Sequence, residues 1–220
     1  MKKWKAYAAC ITLFAVMAVV LFHEALFGGM ALQGIDGNYS VRLMLKRNMA
    51  DGAGGIWNPY YWLGMGNTLA VNTKLLFLKV FPEQWNLTVC FISVIVSAMT
   101  GMLLFLRRQK LDLVPAVFGA VLYGFAPHFI TLAYPAHVDS FCLLGYIPWL
   151  FLLISYVTDR DVGVLRGAAA ALAAGLVWGM ILNEDVQRGI YVSVVAAVYT
   201  VYLLFASKGE KEGRLKLSVP

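Results

Sequence analysis

The acidic residue Asp36 is the first candidate for chemistry in this sequence. It lies in the run GIDG at 34–37, a few residues after an apolar segment long enough to cross a membrane. Flanking glycines let the backbone turn tightly and approach a bound molecule closely. A carboxylate in this setting can act as general base for a hydroxyl group or as an oxygen ligand for a divalent cation. The alternative interpretation is a helix N-cap or a solvated loop acid.

A second group of polar residues follows the third apolar segment. It has the sequence YPAHVDS at 134–140. His137 and Asp139 are two positions apart, so they would point to different faces of a helix but can converge on a loop. The imidazole of His137 can donate to a phosphate or pair with Asp36. Ordinary interfacial polar residues would give the same composition, so both interpretations stay open.

The short connection between the fifth and sixth apolar segments is rich in polar groups. It reads NEDVQRGIY over 183–191. Charged groups at a membrane edge are costly and are often functional, although a plain hydrophilic turn also explains them. Gln187 and Tyr191 are spaced i,i+4 and would share a helix face. We therefore take Glu184, Gln187, Arg188 and Tyr191, together with the His137 group, as candidate substrate-binding residues.

The long segment after the first apolar run has an amphipathic pattern of its own. A cap at Asn38 or Ser40 predicts a helix that ends near Met49. Its basic residues Arg42 and Lys46 would lie near phosphates if the helix rests in the membrane interface. Both are therefore candidate substrate-binding residues as well.

Two further elements are predicted in this segment. The run IWNPYYW at 56–62 is typical of a turn with aromatic anchors at the headgroup level. The apolar run from Leu75 to Phe81 is flanked by Lys74 and Lys79 and stopped by Pro82. This pattern predicts a second short helix, either interfacial or re-entrant.

The composition is that of an integral membrane protein. The chain is 60% hydrophobic and 14% charged, with a mean hydropathy of +0.72, whereas a soluble domain is about one quarter charged. Several apolar runs reach the roughly 20 residues that a helix needs to cross the hydrocarbon core. We predict six spans, at about 6–27, 87–106, 113–133, 141–157, 163–182 and 189–206. The first run lacks a clear small-residue cleavage site, so we predict a retained helix rather than a signal peptide.

The basic residues predict the orientation. Twelve of the 18 lysines and arginines lie before span one, between spans two and three, between four and five, or after span six. Cytoplasmic loops carry this excess, so both termini are predicted to be cytoplasmic. The net charge of +6 reflects this asymmetry, and no basic cluster is interleaved with stacking aromatics, so nucleic acid is not an expected partner.

These observations predict an all-α integral membrane fold. It would have about six transmembrane helices and a large first extracytoplasmic loop, 29–86, that contains amphipathic interfacial helices. The polytopic domain would cover 1–207, and 208–220 would be a cytoplasmic tail or loop. We expect the chain to be the front part of a larger protein. Cys10, Cys90 and Cys142 form no CxxC pair or metal-ligand spacing, which predicts free thiols and no metal site.

Several runs together resemble the GT-C membrane glycosyltransferases and, within them, the YfhO-like bacterial membrane proteins. The likeness extends from about residue 6 to 206 and rests on the order and spacing of the motifs. These motifs are GIDG at 34–37, IWNPY at 56–60 with GMG at 64–66, YGFAP at 123–127, His137 followed by IPW at 147–149, and QRGIY at 187–191.

The resemblance implies transfer of a sugar from a polyprenyl-phosphate donor to an acceptor outside the bacterial cytoplasmic membrane. Asp36 would be the catalytic base, and membrane lipid and the donor would be partners. The family's acid is commonly followed by a second polar or acidic residue, where this chain has Gly37 and Asn38. A divalent cation is a possible cofactor, and partner membrane subunits are possible. The alternative function is a non-catalytic subunit that scaffolds a larger membrane complex.

Overall fold

The computed structural model describes residues 3–29, 31–32, 34, 57–58, 65–66, 73–159 and 161–217. Helices dominate these residues. In chain order, α1 to α9 are Lys3–Leu21, His23–Phe27, Thr73–Val80, Asn86–Arg108, Leu113–Gly124, Pro127–Ala133, Val138–Val157, Val164–Glu184 and Val186–Leu217. Between α2 and α3, the strands β1 (Trp57–Asn58) and β2 (Met65–Gly66) pair antiparallel, with Trp57 opposite Gly66.

Six helices among the described residues are long and apolar enough to cross a membrane. They are α1, α4, the α5–α6 pair, α7, α8 and the first part of α9. The predicted helical, multi-span membrane fold is thereby confirmed at this level. The short helix predicted at 75–81 is present as α3, which packs against α4 and α7.

Three boundaries differ from the predictions. The first apolar run is divided at Phe22 into α1 and α2, although Phe22 N–H still donates to the Ala18 carbonyl. The run predicted as an aromatic turn contains β1. The last helix continues past residue 208 to Leu217, so the predicted tail begins as a helix.

The helices α4 and α7 form the centre of the bundle and run parallel. Phe91 lies 4.4 Å from Phe141 between ring centroids, and the Cys90 and Cys142 sulfurs are 4.0 Å apart. Both contacts join residues near the starts of the two helices, so the two helices begin at the same level. Gly145 allows this close approach, because a Cβ there would lie 2.6 Å from Val94 Cγ1.

Polar contacts fasten the opposite ends of these helices. Arg108 pairs with Asp159 just after α7, and its guanidinium lies 4.4 Å from the Tyr156 ring centroid. Gln109 donates to Tyr199 on α9 at 3.0 Å. We call this side the Asp159 end. The side where α4, α7 and α9 begin and α1, α6 and α8 end is the Asp185 end.

A proline interrupts the hydrogen bonding of α7. Pro148 has no backbone N–H, so it cannot donate to the carbonyl of Leu144 one turn earlier. The hydroxyl of Tyr123, near the end of α5, donates to that carbonyl at 2.8 Å. A side chain of one helix thus replaces the backbone donor that another helix lacks, which meets the requirement that backbone groups in a membrane be satisfied by protein.

This replacement predicts a specific coupling. Tyr123→Phe should destabilise the protein by about 1–2 kcal/mol, because it leaves the part-buried Leu144 carbonyl without that donor. In a Pro148→Ala background the backbone N–H returns, so the same tyrosine substitution should cost much less. The measurement is a double-mutant cycle on unfolding in mixed detergent micelles.

Tyr134→Phe is the matched control. Tyr134 is 87% exposed, so loss of its hydroxyl should leave stability unchanged. Equal costs of Tyr123→Phe with and without Pro148 would contradict this account of α7.

Candidate functional site

Three segments that lie far apart in the sequence meet at the Asp185 end. The first is the segment after α2, represented by Gly34. A Cβ on Gly34 would lie 2.6 Å from the Ala136 nitrogen and closer still to the Pro135 carbonyl group. Only glycine fits such a contact without a shift of the backbone. Gly34 is therefore packed directly on the connection between α6 and α7.

The connection that Gly34 contacts is itself tightly turned. Ala136 is buried and has a φ of 60°, in the left-handed region that residues with a Cβ rarely adopt. The His137 N–H donates to the Leu132 carbonyl at 3.0 Å, and the Phe141 N–H donates to the His137 carbonyl. These bonds fix the chain between α6 and α7.

The second segment is the 134–140 run that Gly34 contacts, and the third is the 183–191 run. Side chains join these two segments. Ser140, in the first turn of α7, donates its hydroxyl to Asp185 Oδ2 at 3.1 Å. Arg188 Nη1 donates to the same carboxylate oxygen and to Ser140 Oγ, each at 2.5 Å. The Arg188 backbone N–H donates to Asp185 Oδ1 at 3.0 Å. Asp185 is the single residue between α8 and α9, so this network fixes the turn between them against α7.

The network changes the acidity of Asp185. Burial acts to raise the pKa of its carboxyl group. The backbone N–H and guanidinium of Arg188 and the hydroxyl of Ser140 outweigh burial, and the net pKa is below its ordinary value. Asp185 is therefore an ionised structural partner of Arg188 at neutral pH.

A pH dependence of stability follows from this shift. Because the folded-state pKa is lowered, the stabilisation by Asp185 is present above the unfolded-state pKa of about 3.9 and is lost as pH falls through the folded-state value. We expect thermal unfolding of the wild type to shift to lower temperature below about pH 4, and the shift to be smaller in Asp185→Asn. The pKa of Asp159 is also lowered, first by the Asp161 backbone N–H and then by Arg108, so part of the acid sensitivity should remain. Identical pH profiles of the two proteins would contradict the role given to Asp185.

The predicted site residues Asp139 and Glu184 lie beside this network. Glu184, the last residue of α8, is 7% exposed. Glu184 directly precedes Asp185 in the chain, and Asp139 directly precedes Ser140, so each is next to a member of the network. Asp139 is in the first turn of α7, and His137 directly precedes that helix. The structure thus joins the 134–140 group to the 183–191 group through Ser140, Asp185 and Arg188.

Other predicted residues stand further out or lie outside the described residues. Gln187 and Tyr191 are both on α9 and are exposed. Asp36, Arg42 and Lys46 lie outside the described part of the chain, so their proposed roles stay predictions.

Sequence reasoning missed three residues of this region: Ser140, Asn86 and Thr88. Asn86 and Thr88 are buried in the first turn of α4. Their signal in the sequence is faint, because a polar residue at the start of an apolar span is usually a capping group. Within the part of the chain that the structure describes, no group of three or more His, Cys, Asp or Glu side chains could hold a metal ion.

No family model, curated protein or solved structure matches this chain.

Proposed function

We propose that this chain carries the site of a GT-C-like glycosyltransferase that moves a sugar from a polyprenyl-phosphate donor to an extracytoplasmic acceptor. One observation carries the proposal, namely the contact of Gly34 with Pro135 and Ala136. That contact holds the chain just before the candidate base against the segment that leads into His137 and Asp139. Ser140 links the same segment to Asp185 and Arg188.

Covalent connectivity supports a role for Asp36 at this place. Asp36 follows Gly34 by two residues, and two residues of extended chain span at most about 7 Å. Covalent connectivity thus limits the separation of the Asp36 Cα from the Gly34 Cα to about 7 Å, and Gly34 contacts the α6–α7 connection. In the proposed reaction the Asp36 carboxylate takes the proton of the acceptor hydroxyl as the acceptor oxygen attacks the anomeric carbon. The bond from that carbon to the phosphate oxygen breaks, and polyprenyl phosphate leaves with the electron pair.

Arg188 is the proposed cation for the donor phosphate among the described residues. Its two side-chain contacts both use Nη1, and 42% of the side chain is exposed. The remaining guanidinium nitrogens can donate to phosphate oxygens while Asp185 holds the side chain in position. Arg42 and Lys46 are proposed as further charge partners of the phosphate. His137, Asp139, Glu184, Gln187 and Tyr191 are proposed to line the space for the sugar and the acceptor.

The distribution of basic residues supports an orientation with the Asp185 end outside the membrane. Arg107, Arg108 and Lys110 lie at the Asp159 end, and Lys5 lies in the first turn of α1 at the same end. By the positive-inside rule, both termini are then proposed to lie in the cytoplasm. The bacterial cytoplasmic membrane is proposed from the resemblance to the YfhO-like proteins.

A reconstituted transfer assay tests the function. The full chain in liposomes is incubated with undecaprenyl phosphate bearing a radiolabelled hexose, and release of undecaprenyl phosphate and labelling of a hydroxyl acceptor are followed. Donor-dependent turnover supports the enzyme. A chain that takes up no donor lipid and co-purifies with stoichiometric partner chains would instead be the non-catalytic subunit.

A further inference from the structure

Two buried polar groups in the first turn of α4 have no hydrogen-bond partner among the described residues. They are the side-chain nitrogen Nδ2 of Asn86, which is 3% exposed, and the hydroxyl of Thr88, which is fully buried. Other hydroxyls within the spans behave differently, since Thr100, Ser193 and Thr200 donate to the carbonyl four residues earlier. Leaving buried donors unpaired is costly, so native proteins rarely do so without a reason.

Both groups lie where the interface between α4 and α7 reaches the Asp185 end. Asn86 is one turn before Cys90 on the same face, and Cys90 contacts Cys142 of α7. Thr88 is one turn before Phe91, which packs on Phe141 of α7. The Cα–Cβ bonds of a helix tilt towards its N-terminus, so both side chains lean towards the Asp185 end.

The charges near this place select the class of ligand. Asp139 is in the first turn of α7, one turn before Cys142. The buried Glu184 directly precedes Asp185, which accepts a hydrogen bond from Ser140 in that same turn of α7, so both acids lie near the starts of α4 and α7. A further anion placed beside these two acids would be repelled. A neutral group rich in hydroxyls fits better, because it can donate to carboxylates while its oxygens accept from the Asn86 amide and the Thr88 hydroxyl.

We infer that Asn86 and Thr88 bind hydroxyl groups of the neutral sugar carried by the donor, where the α4–α7 interface reaches the Asp185 end. The inference rests on the proposed function and divides the donor between two places. The phosphate lies with Arg188, and the sugar lies over the start of α4.

Isosteric variants separate a ligand contact from a structural one. Asn86→Leu and Thr88→Val remove the polar group and keep the approximate shape. If the polar groups are reserved for a ligand, stability without ligand should stay the same or rise, because a buried unpaired group has been removed. Affinity for a sugar-bearing lipid should fall about three- to tenfold for each variant. Thr100→Val is the matched control, since its hydroxyl bonds within its own helix, and it should change neither binding nor its sugar dependence.

The experiment measures binding to the full chain in lipid nanodiscs. The probes are undecaprenyl phosphate alone and the same lipid bearing glucose, galactose, mannose or N-acetylglucosamine. We expect the wild type to bind at least one sugar-bearing lipid more tightly than the bare phosphate, and both variants to lose that preference while they bind the bare phosphate as before.

The outcomes are distinguishable. If the wild type prefers a sugar-bearing lipid and both variants keep the full preference, Asn86 and Thr88 do not bind the sugar, and the proposed function stands. If either variant lowers the unfolding temperature without ligand, its polar group has a structural partner and the inference is overturned. If the wild type binds none of the lipids, the proposed function and the inference that rests on it both fail.

Discussion

Asp36→Asn should reduce sugar transfer by about 10²–10⁴-fold, the usual contribution of a general base. Asparagine keeps the size of the side chain but cannot take a proton from the acceptor hydroxyl at neutral pH. Donor binding should change little, because the donor phosphate is assigned to Arg188 and, by proposal, to Arg42 and Lys46 rather than to Asp36. The transfer assay and the nanodisc binding assay together separate the two steps.

Asp112→Asn is the matched control for Asp36. Asp112 precedes α5 at the Asp159 end, is exposed and makes no side-chain capping bond, so its substitution should leave transfer intact. Size-exclusion profiles of all three proteins check that the variants insert and stay monodisperse. Wild-type turnover by Asp36→Asn would remove this residue from the mechanism.

Gly34→Ala should lower transfer by about 10²-fold, the effect of misplacing a reacting group by about 1 Å. The added Cβ would collide with the Pro135 carbonyl group and the Ala136 nitrogen, both of which are backbone and cannot rotate away. Gly34 must then lift from the α6–α7 connection, which would displace the chain that follows it. The same transfer assay reports the loss, and we expect donor binding to be less affected than turnover.

Gly175→Ala tests whether any glycine substitution in this protein would have such an effect. Nothing lies within 4 Å of a Cβ on Gly175 in α8. Alanine there should leave transfer unchanged and stabilise the helix by up to about 1 kcal/mol. Full activity of Gly34→Ala would show that the contact with Pro135 and Ala136 does not position the base.

The lengths of the apolar runs predicted the six spans, because a helix needs about 20 apolar residues to cross the hydrocarbon core of the bilayer. The observed Asn86–Arg108 and Val138–Val157 helices differ from the predicted 87–106 and 141–157 by a few residues. Polar residues such as Asp139 and Ser140 begin α7 although they lower its hydropathy. They lie in the first turn of the helix, where polar groups can satisfy free backbone N–H groups.

The contacts within the candidate site could not be predicted in the same way. The packing of Gly34 on Ala136 and the bond from Ser140 to Asp185 join residues far apart in the sequence. No local pattern encodes such pairs, since they depend on which helices are neighbours. The sequence did indicate that 134–140 and 183–191 belong to one side of the membrane, because the number of spans between them fixes this.

The bond from Tyr123 to the Leu144 carbonyl constrains how this protein can change over time. A lineage that loses Pro148 first regains a backbone donor and frees position 123 to vary. The reverse order passes through an intermediate whose carbonyl lacks a donor inside the bilayer. Among homologues, phenylalanine at the position of Tyr123 should therefore occur mainly where the proline is already absent.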